Sequence, residues 1–272
     1  MVTNQSNPYA APRAQLGDDA AMAGQFIAAG INRAAAQGWR WLHAGFVLFR
    51  QQPGTAILIT IVFLAIQLAV AALQTGLAMM HPALSVIASL ASLAITPLLV
   101  GGWMVGCRAL DEGGALRVGH LFAALDTHTK PLLALAGWVL VASLGIALVI
   151  GATIAVIGFA AFSGDTGLSA RGLGAGIGIT IAGLLVVAVS MFVYSLVWFA
   201  PALIVLHDFS ALDAMKASAQ GCLKNIVPLL VYGLCSIGLA IAATIPFMLG
   251  WLVFAPVLVG SIYAAYRDIY FR

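Results

Sequence analysis

Between Arg50 and Arg108 no residue carries a formal charge, and no other feature limits the fold of this chain so sharply. Three further uncharged gaps follow, from Pro131 to Gly164, from Gly172 to His207 and from Asn225 to Tyr266. One helix crossing the hydrocarbon of a bilayer needs about 20 apolar residues. The first and last gaps are long enough for two spans each and the middle gaps for one each, six in all. Turns fall at Met80-His81-Pro82 and near Pro246 to Gly250. Runs such as Ile57-Leu58-Ile59-Thr60-Ile61-Val62-Phe63-Leu64 are apolar at almost every position, which excludes the alternation of a membrane β-barrel. Predicted spans are 54–79, 83–106, 132–162, 174–204, 226–246 and 249–266. Composition agrees: 8% of residues are charged and 62% hydrophobic, where a soluble domain carries roughly 25% charged residues. So much apolar surface also excludes a disordered chain.

Basic residues set the orientation. Arg13, Arg33, Arg40 and Arg50 precede span one, and Arg108, Arg117 and Lys130 lie between spans two and three. Lys216 and Lys224 separate spans four and five, and Arg267 and Arg272 follow span six. Only Arg171 lies on the opposite side. The positive-inside rule places both termini in the cytoplasm. The segment from Met1 to Gln25 lacks the continuous apolar stretch of a cleavable signal peptide, so span one is expected to act as an uncleaved anchor. Cys107, Cys222 and Cys235 lie at the cytoplasmic edge or within a span, where no structural disulfide is expected.

Each cytoplasmic segment before a pair of spans reads as an amphipathic helix. Arg33, Gln37, Arg40 and His43 form one polar stripe, with Trp39, Trp41, Leu42, Phe46 and Phe49 around it. Val118, Leu121, Phe122 and Leu125 oppose Arg117, His120 and Thr127. Asp213, Lys216, Gln220 and Lys224 make a third stripe, with Leu212, Met215, Cys222 and Leu223 facing away. Spacings of three and four put each set on one helix face, the habit of helices lying in the headgroup layer. The unit of interfacial helix, span and span thus occurs three times. Pro97 through Arg108 aligns without gaps to Pro256 through Arg267, with Pro, Leu, Val, Gly and Arg identical at matching positions. Duplication explains this, and so does the general likeness of spans ending in Arg. The expected fold is an all-α, six-helix membrane bundle with three interfacial helices. Residues 1–25 form a flexible leader and 26–272 a single domain.

The third unit carries a recurring pattern: Phe199-Ala200-Pro201-Ala202-Leu203-Ile204-Val205, then Asp208, Ser210-Ala211-Leu212, Ala217-Ser218 and Asn225. This resembles a bacterial inner-membrane family of six-helix proteins of unassigned function, similar to the membrane domain fused to some glycerophosphodiester phosphodiesterases. The leader Asn7-Pro8-Tyr9-Ala10-Ala11-Pro12 resembles those on several such proteins. The resemblance implies a fold and a location in the inner membrane. It implies no activity, because the hydrolase module and its catalytic residues are missing from this sequence.

The chemistry of sites is sparse. No charged residue lies within a predicted span, which disfavours a carrier built on a buried carboxylate. The five histidines are scattered without metal-ligand spacing, so neither metal nor cofactor is expected. His207-Asp208 offers an adjacent imidazole and carboxylate, the elements of acid–base catalysis. Against this, Ser210 followed by Asp213 has the arrangement of a helix-capping box. Gly174 and Gly178, like Gly102 and Gly106, have the spacing that lets membrane helices approach closely. The structural candidates are thus Pro201, Asp208, Ser210, Asp213, Asn225, Gly174 and Gly178. The expected function is a non-enzymatic scaffold or accessory in the membrane. The alternative is a transporter or lipid-handling protein with a cavity between the repeats. Expected partners are membrane lipids and another membrane protein or a second copy of the chain. Nucleic acid is excluded, because no dense basic module is present.

Overall fold

A computed structural model describes residues 24–162 and 170–272. Helix α1 (Gln37–Gln51) stops where Pro53, lacking an N–H, opens α2 (Pro53–Met80). His81 turns the chain into α3 (Pro82–Asp111). A 3-10 turn (Val118–Phe122) runs into the one-turn α4 (Ala123–Thr127). The long helices α5 (Thr129–Phe162) and α6 (Ala170–Val197) follow. Then come α7 (Ala200–His207), α8 (Ala211–Lys224), α9 (Ile226–Thr244) and α10 (Trp251–Tyr270). Six stretches of the described chain are long and apolar enough to cross a membrane, with α6 and α7 together forming the fourth.

That fourth span departs from the uninterrupted helix expected over 174–204. Pro201 supplies no amide to Val197 and its ring crowds that carbonyl, so the ladder opens at Trp198 and Phe199. The hydroxyl of Ser218, on α8, fills the gap. It accepts the Phe199 N–H at 3.0 Å and donates to the Ser195 carbonyl at 2.6 Å. Ser218 is wholly buried, and the break is stabilised by a residue of another helix.

The short helices are less superficial than their stripes suggest. On α1, Trp41, Leu42, Gly45 and Leu48 are buried while Arg40, His43 and Arg50 are exposed. Arg33 precedes this helix, so the expected stripe loses its first member. The second segment is a 3-10 turn followed by a single α-helical turn; Leu121 is buried, but Phe122 and Leu125 are exposed. On α8, Met215 and Cys222 face inward, whereas Leu212 and Leu223 share the exposed side with Asp213, Lys216, Gln220 and Lys224.

These segments pack in a cyclic order. Helix α1 lies chiefly against α10 and α9, the 3-10 turn and α4 against α3, and α8 against α6 and α5. Each unit's short helix therefore docks on the spans of the unit before it, the first on those of the last. Close approach at these seams needs glycine. A Cβ on Gly38 would lie 2.7 Å from the Tyr232 amide, and one on Gly45 2.5 Å from that of Ser261. A Cβ on Gly102 would strike the backbone carbonyls of His120 and Leu121. Gly178 has nothing within 4 Å of its Cβ position, so the expected close contact is not made there. The surroundings of Gly174 lie outside the described residues.

The buried core gathers where these helices meet the ends of the spans, around Leu42, Ile59, Met104, Leu121, Phe199, Tyr266 and Tyr270. Farther along the spans, Leu68, Leu148, Leu184 and Ile241 are exposed. This division is what lipid permits, because hydrocarbon gives apolar side chains no reason to leave it. Polar links from Gln67 Nε2 to Thr96 Oγ1 at 3.2 Å and from Gln74 Nε2 to Ser89 Oγ at 2.5 Å join α2 to α3.

Candidate functional site

The residues of the third-unit pattern converge on the face where the described chain begins and where it ends, here the terminal face. Residues 24–33 cross this face as a strap paired with the end of α10. Ile27 N–H donates to the Tyr270 carbonyl at 2.8 Å and Ile31 N–H to that of Ile269 at 2.8 Å. Phe26 and Phe271 form an isolated antiparallel bridge. Asn225, fully buried, pins the strap to α8. Its Oδ1 accepts the Arg33 N–H at 2.8 Å, and its Nδ2 donates to the carbonyls of Ile31 at 2.8 Å and Gly221 at 2.9 Å. A side-chain amide presents an acceptor and a two-proton donor in one plane. The Arg33 guanidinium adds an ion pair with Asp268 at 3.2 Å and a bond to the Phe271 carbonyl at 3.0 Å.

His207 and Asp208 turn away from one another. Asp208 closes α7 in the left-handed conformation (φ 56°) and reverses the chain, a backbone state that Asp and Asn tolerate best after glycine. Its carboxylate meets His128 Nε2 at 2.8 Å. The His207 ring instead bonds the Tyr266 hydroxyl and stacks under Phe26, with centroids 3.9 Å apart. No acid–base dyad forms between the two neighbours.

Two residues later, Ser210 caps α8: its hydroxyl accepts the Asp213 N–H at 3.2 Å and donates to the Asp213 carboxylate at 2.6 Å. In a full capping box the acidic side chain reaches back to the cap residue's own amide. Aspartate, one carbon shorter than glutamate, bonds the hydroxyl instead. Pro201 sits in the first turn of α7 and is buried.

Other polar groups on this face are also engaged. Asp111 binds Arg267 and accepts from the Tyr263 hydroxyl at 3.1 Å. Trp41 Nε1 donates to Asp268 at 2.9 Å. Burial, followed by the charge of Arg117, lowers the pKa of His120 from its ordinary value of 6.5. The neutral ring accepts the Arg117 N–H at Nδ1, 3.2 Å away. Burial pushes the Cys222 thiol up to about 12, which leaves it an unreactive core group. Among the described residues no three His, Cys, Asp or Glu side chains converge as metal ligands. No local sequence signal marks the roles of Gly38, Gly45 and Ser218, which depend on partners from distant helices.

Comparison with known proteins places this geometry in a family without an assigned activity. A protein of Burkholderia thailandensis strain E264, named a probable inner membrane protein, is 29% identical over 227 residues, covering 79% of this chain and 77% of the relative. No solved structure matches. The comparisons give no link to glycerophosphodiester phosphodiesterases. With six apolar helices, this chain is a multi-pass membrane protein. The model of a domain of unknown function, DUF7847, matches residues 40–266, from the first short helix to the last span, and the chain belongs to that family.

Proposed function

We propose that this protein is a non-enzymatic scaffold or accessory of the bacterial inner membrane, with both termini in the cytoplasm. One observation carries the reading: the polar side chains of the third-unit pattern are engaged within the protein, in helix caps and in bonds between helices. His207, Asp208, Ser210, Asp213, Ser218 and Asn225 each bond another protein group. A site for turnover needs groups held ready for a substrate, whereas a platform needs its groups tied down. Exposed cations of the terminal face, Arg40, Arg50, Lys216 and Lys224 among them, suit anionic headgroups. Purification from membranes in mild detergent tests this. A stoichiometric protein partner supports the scaffold. Loss of complementation at full folded yield in both His207→Ala and Asp208→Asn would overturn the non-enzymatic reading.

A further inference from the structure

A cavity of about 550 Å³ lies between the C-terminal part of α6 and the start of α9, with Cys222 and Leu223 of α8 and Leu258 and Ile262 of α10 completing its wall. Its wall is apolar, and Met191, Phe192, Leu223 and Leu230 line it while remaining largely exposed. The mouth therefore opens sideways onto hydrocarbon. One polar atom of a lining residue, Trp198 Nε1, is buried without a hydrogen-bond partner. An unsatisfied polar group at this depth is costly, and an oxygen-bearing ligand removes that cost. Lys224, exposed, sits in the chain between Leu223 and Ile226, both on the cavity wall. Its ammonium donates to the Gly30 carbonyl at 3.0 Å and keeps its other protons for an anion.

We propose that this cleft is a binding site for one phospholipid. An acyl chain lies along the α6 and α9 walls, an ester oxygen accepts from Trp198 Nε1, and the phosphate lies toward Lys224. Size argues against a partner's transmembrane helix: at about 10 Å across, a helix would fill this volume in little more than one turn. Wall polarity argues against an aqueous solute. The site stands apart from the scaffold reading, and the loss of either leaves the other intact.

Gly233 gives a clean test, because it lines the cleft and nothing lies within 4 Å of its Cβ position. Gly233→Phe fills the cavity without striking the protein. Gly238→Phe is the control, since its Cβ position is equally free and it lies off the cavity wall. Each protein is reconstituted in nanodiscs of equal phosphatidylethanolamine and phosphatidylglycerol, released, and weighed intact by native mass spectrometry. Wild type and Gly238→Phe should retain one phospholipid, and Gly233→Phe should lose it. Trp198→Phe should lower retention about fivefold, the equilibrium equivalent of one net hydrogen bond. Equal retention by wild type and a folded Gly233→Phe overturns the site. If Gly233→Phe does not fold, unchanged retention in Trp198→Phe overturns it instead. A dimer or a detergent adduct in place of the phospholipid also overturns it.

Discussion

Replacing Asn225 tests whether the terminal strap is held by one amide. Asn225→Ala removes the acceptor for the Arg33 N–H and the donor to the carbonyls of Ile31 and Gly221. At about 1 kcal/mol net for each of three bonds the loss is ~3 kcal/mol, a large fraction of a typical stability of roughly 5–15 kcal/mol. Asn225→Asp keeps the shape and should be worse. Its second oxygen would face two carbonyl oxygens where the amide now donates at 2.8 and 2.9 Å. Those contacts and burial raise the folded-state pKa of the introduced carboxyl above its unfolded value of about 3.9. The sign follows: the folded state binds the proton more tightly, so the variant gains stability as pH falls and loses it as pH rises through the folded pKa. Thermal unfolding in detergent should rank wild type above Asn225→Ala and Asn225→Asp lowest at pH 7.5, with the Asp variant recovering partly at pH 5. Hydrogen exchange should quicken first at the Ile27 and Ile31 amides. Equal melting of the Ala and Asp variants, or unchanged exchange in the strap, would refute the argument.

Gly45→Ala should lower stability by about 1–3 kcal/mol, toward the upper end because its obstruction is the Ser261 backbone, which cannot rotate aside. Gly178→Leu should leave the melting temperature of the isolated chain nearly unchanged, since its Cβ position is open. Ser210→Ala should cost ~1 kcal/mol through the lost cap of α8, and Asp208→Asn should cost less because Asn also accepts the left-handed backbone. The depressed pKa of His120 makes its neutral form the folded one. The unfolded chain takes up the proton more readily, so stability is present above 6.5 and declines as pH falls below it. Exchange of the 3-10 turn amides should rise over that range, and His120→Gln should abolish the change. Introduced Glu112→Cys should resist a membrane-impermeant thiol reagent applied from outside, whereas cysteines placed between Ser163 and Arg171 should react. Labelling of Glu112→Cys would reverse the orientation.

The spans were legible because a charge inside hydrocarbon is expensive, so uncharged gaps record length without knowledge of any neighbour. The Ser210 cap of α8 was legible for a similar reason, being fixed by residues three apart. The break at Trp198 was half legible. Pro201 announces a lost amide, but the group that makes the opening tolerable is Ser218, well downstream and on another helix. Glycine spacing guided unevenly, since Gly102 does meet the carbonyls of His120 and Leu121. Gly174 and Gly178 carry the spacing of a packing motif, yet Gly178 faces open space while Gly38 and Gly45, seven apart, meet backbone. Spacing states which residues share a face and leaves open what that face meets. Sequence adjacency says as little about partners at His207 and Asp208, where a left-handed residue at the end of α7 sends the two neighbours to different groups.

The cyclic docking explains why the core sits at the terminal face. Hydrocarbon supplies no net drive for spans to associate along their length, so something else must hold three hairpins together. Had each short helix covered its own pair of spans, the three units would be separable. Here α1 closes on α9 and α10, the turn before α4 closes on α3, and α8 closes on α6. No unit can leave without uncovering the buried face of a neighbour's helix. The ends of the chain complete the ring, because the strap before α1 pairs with the end of α10 and is pinned by the Asn225 that follows α8. The cleft between α6 and α9 lies beside this fastening, since Cys222 and Leu223 of α8 and Ile226 at the start of α9 form part of its wall. The same division of labour gives a tightly packed face at one end of the spans and leaves their apolar flanks to the lipid.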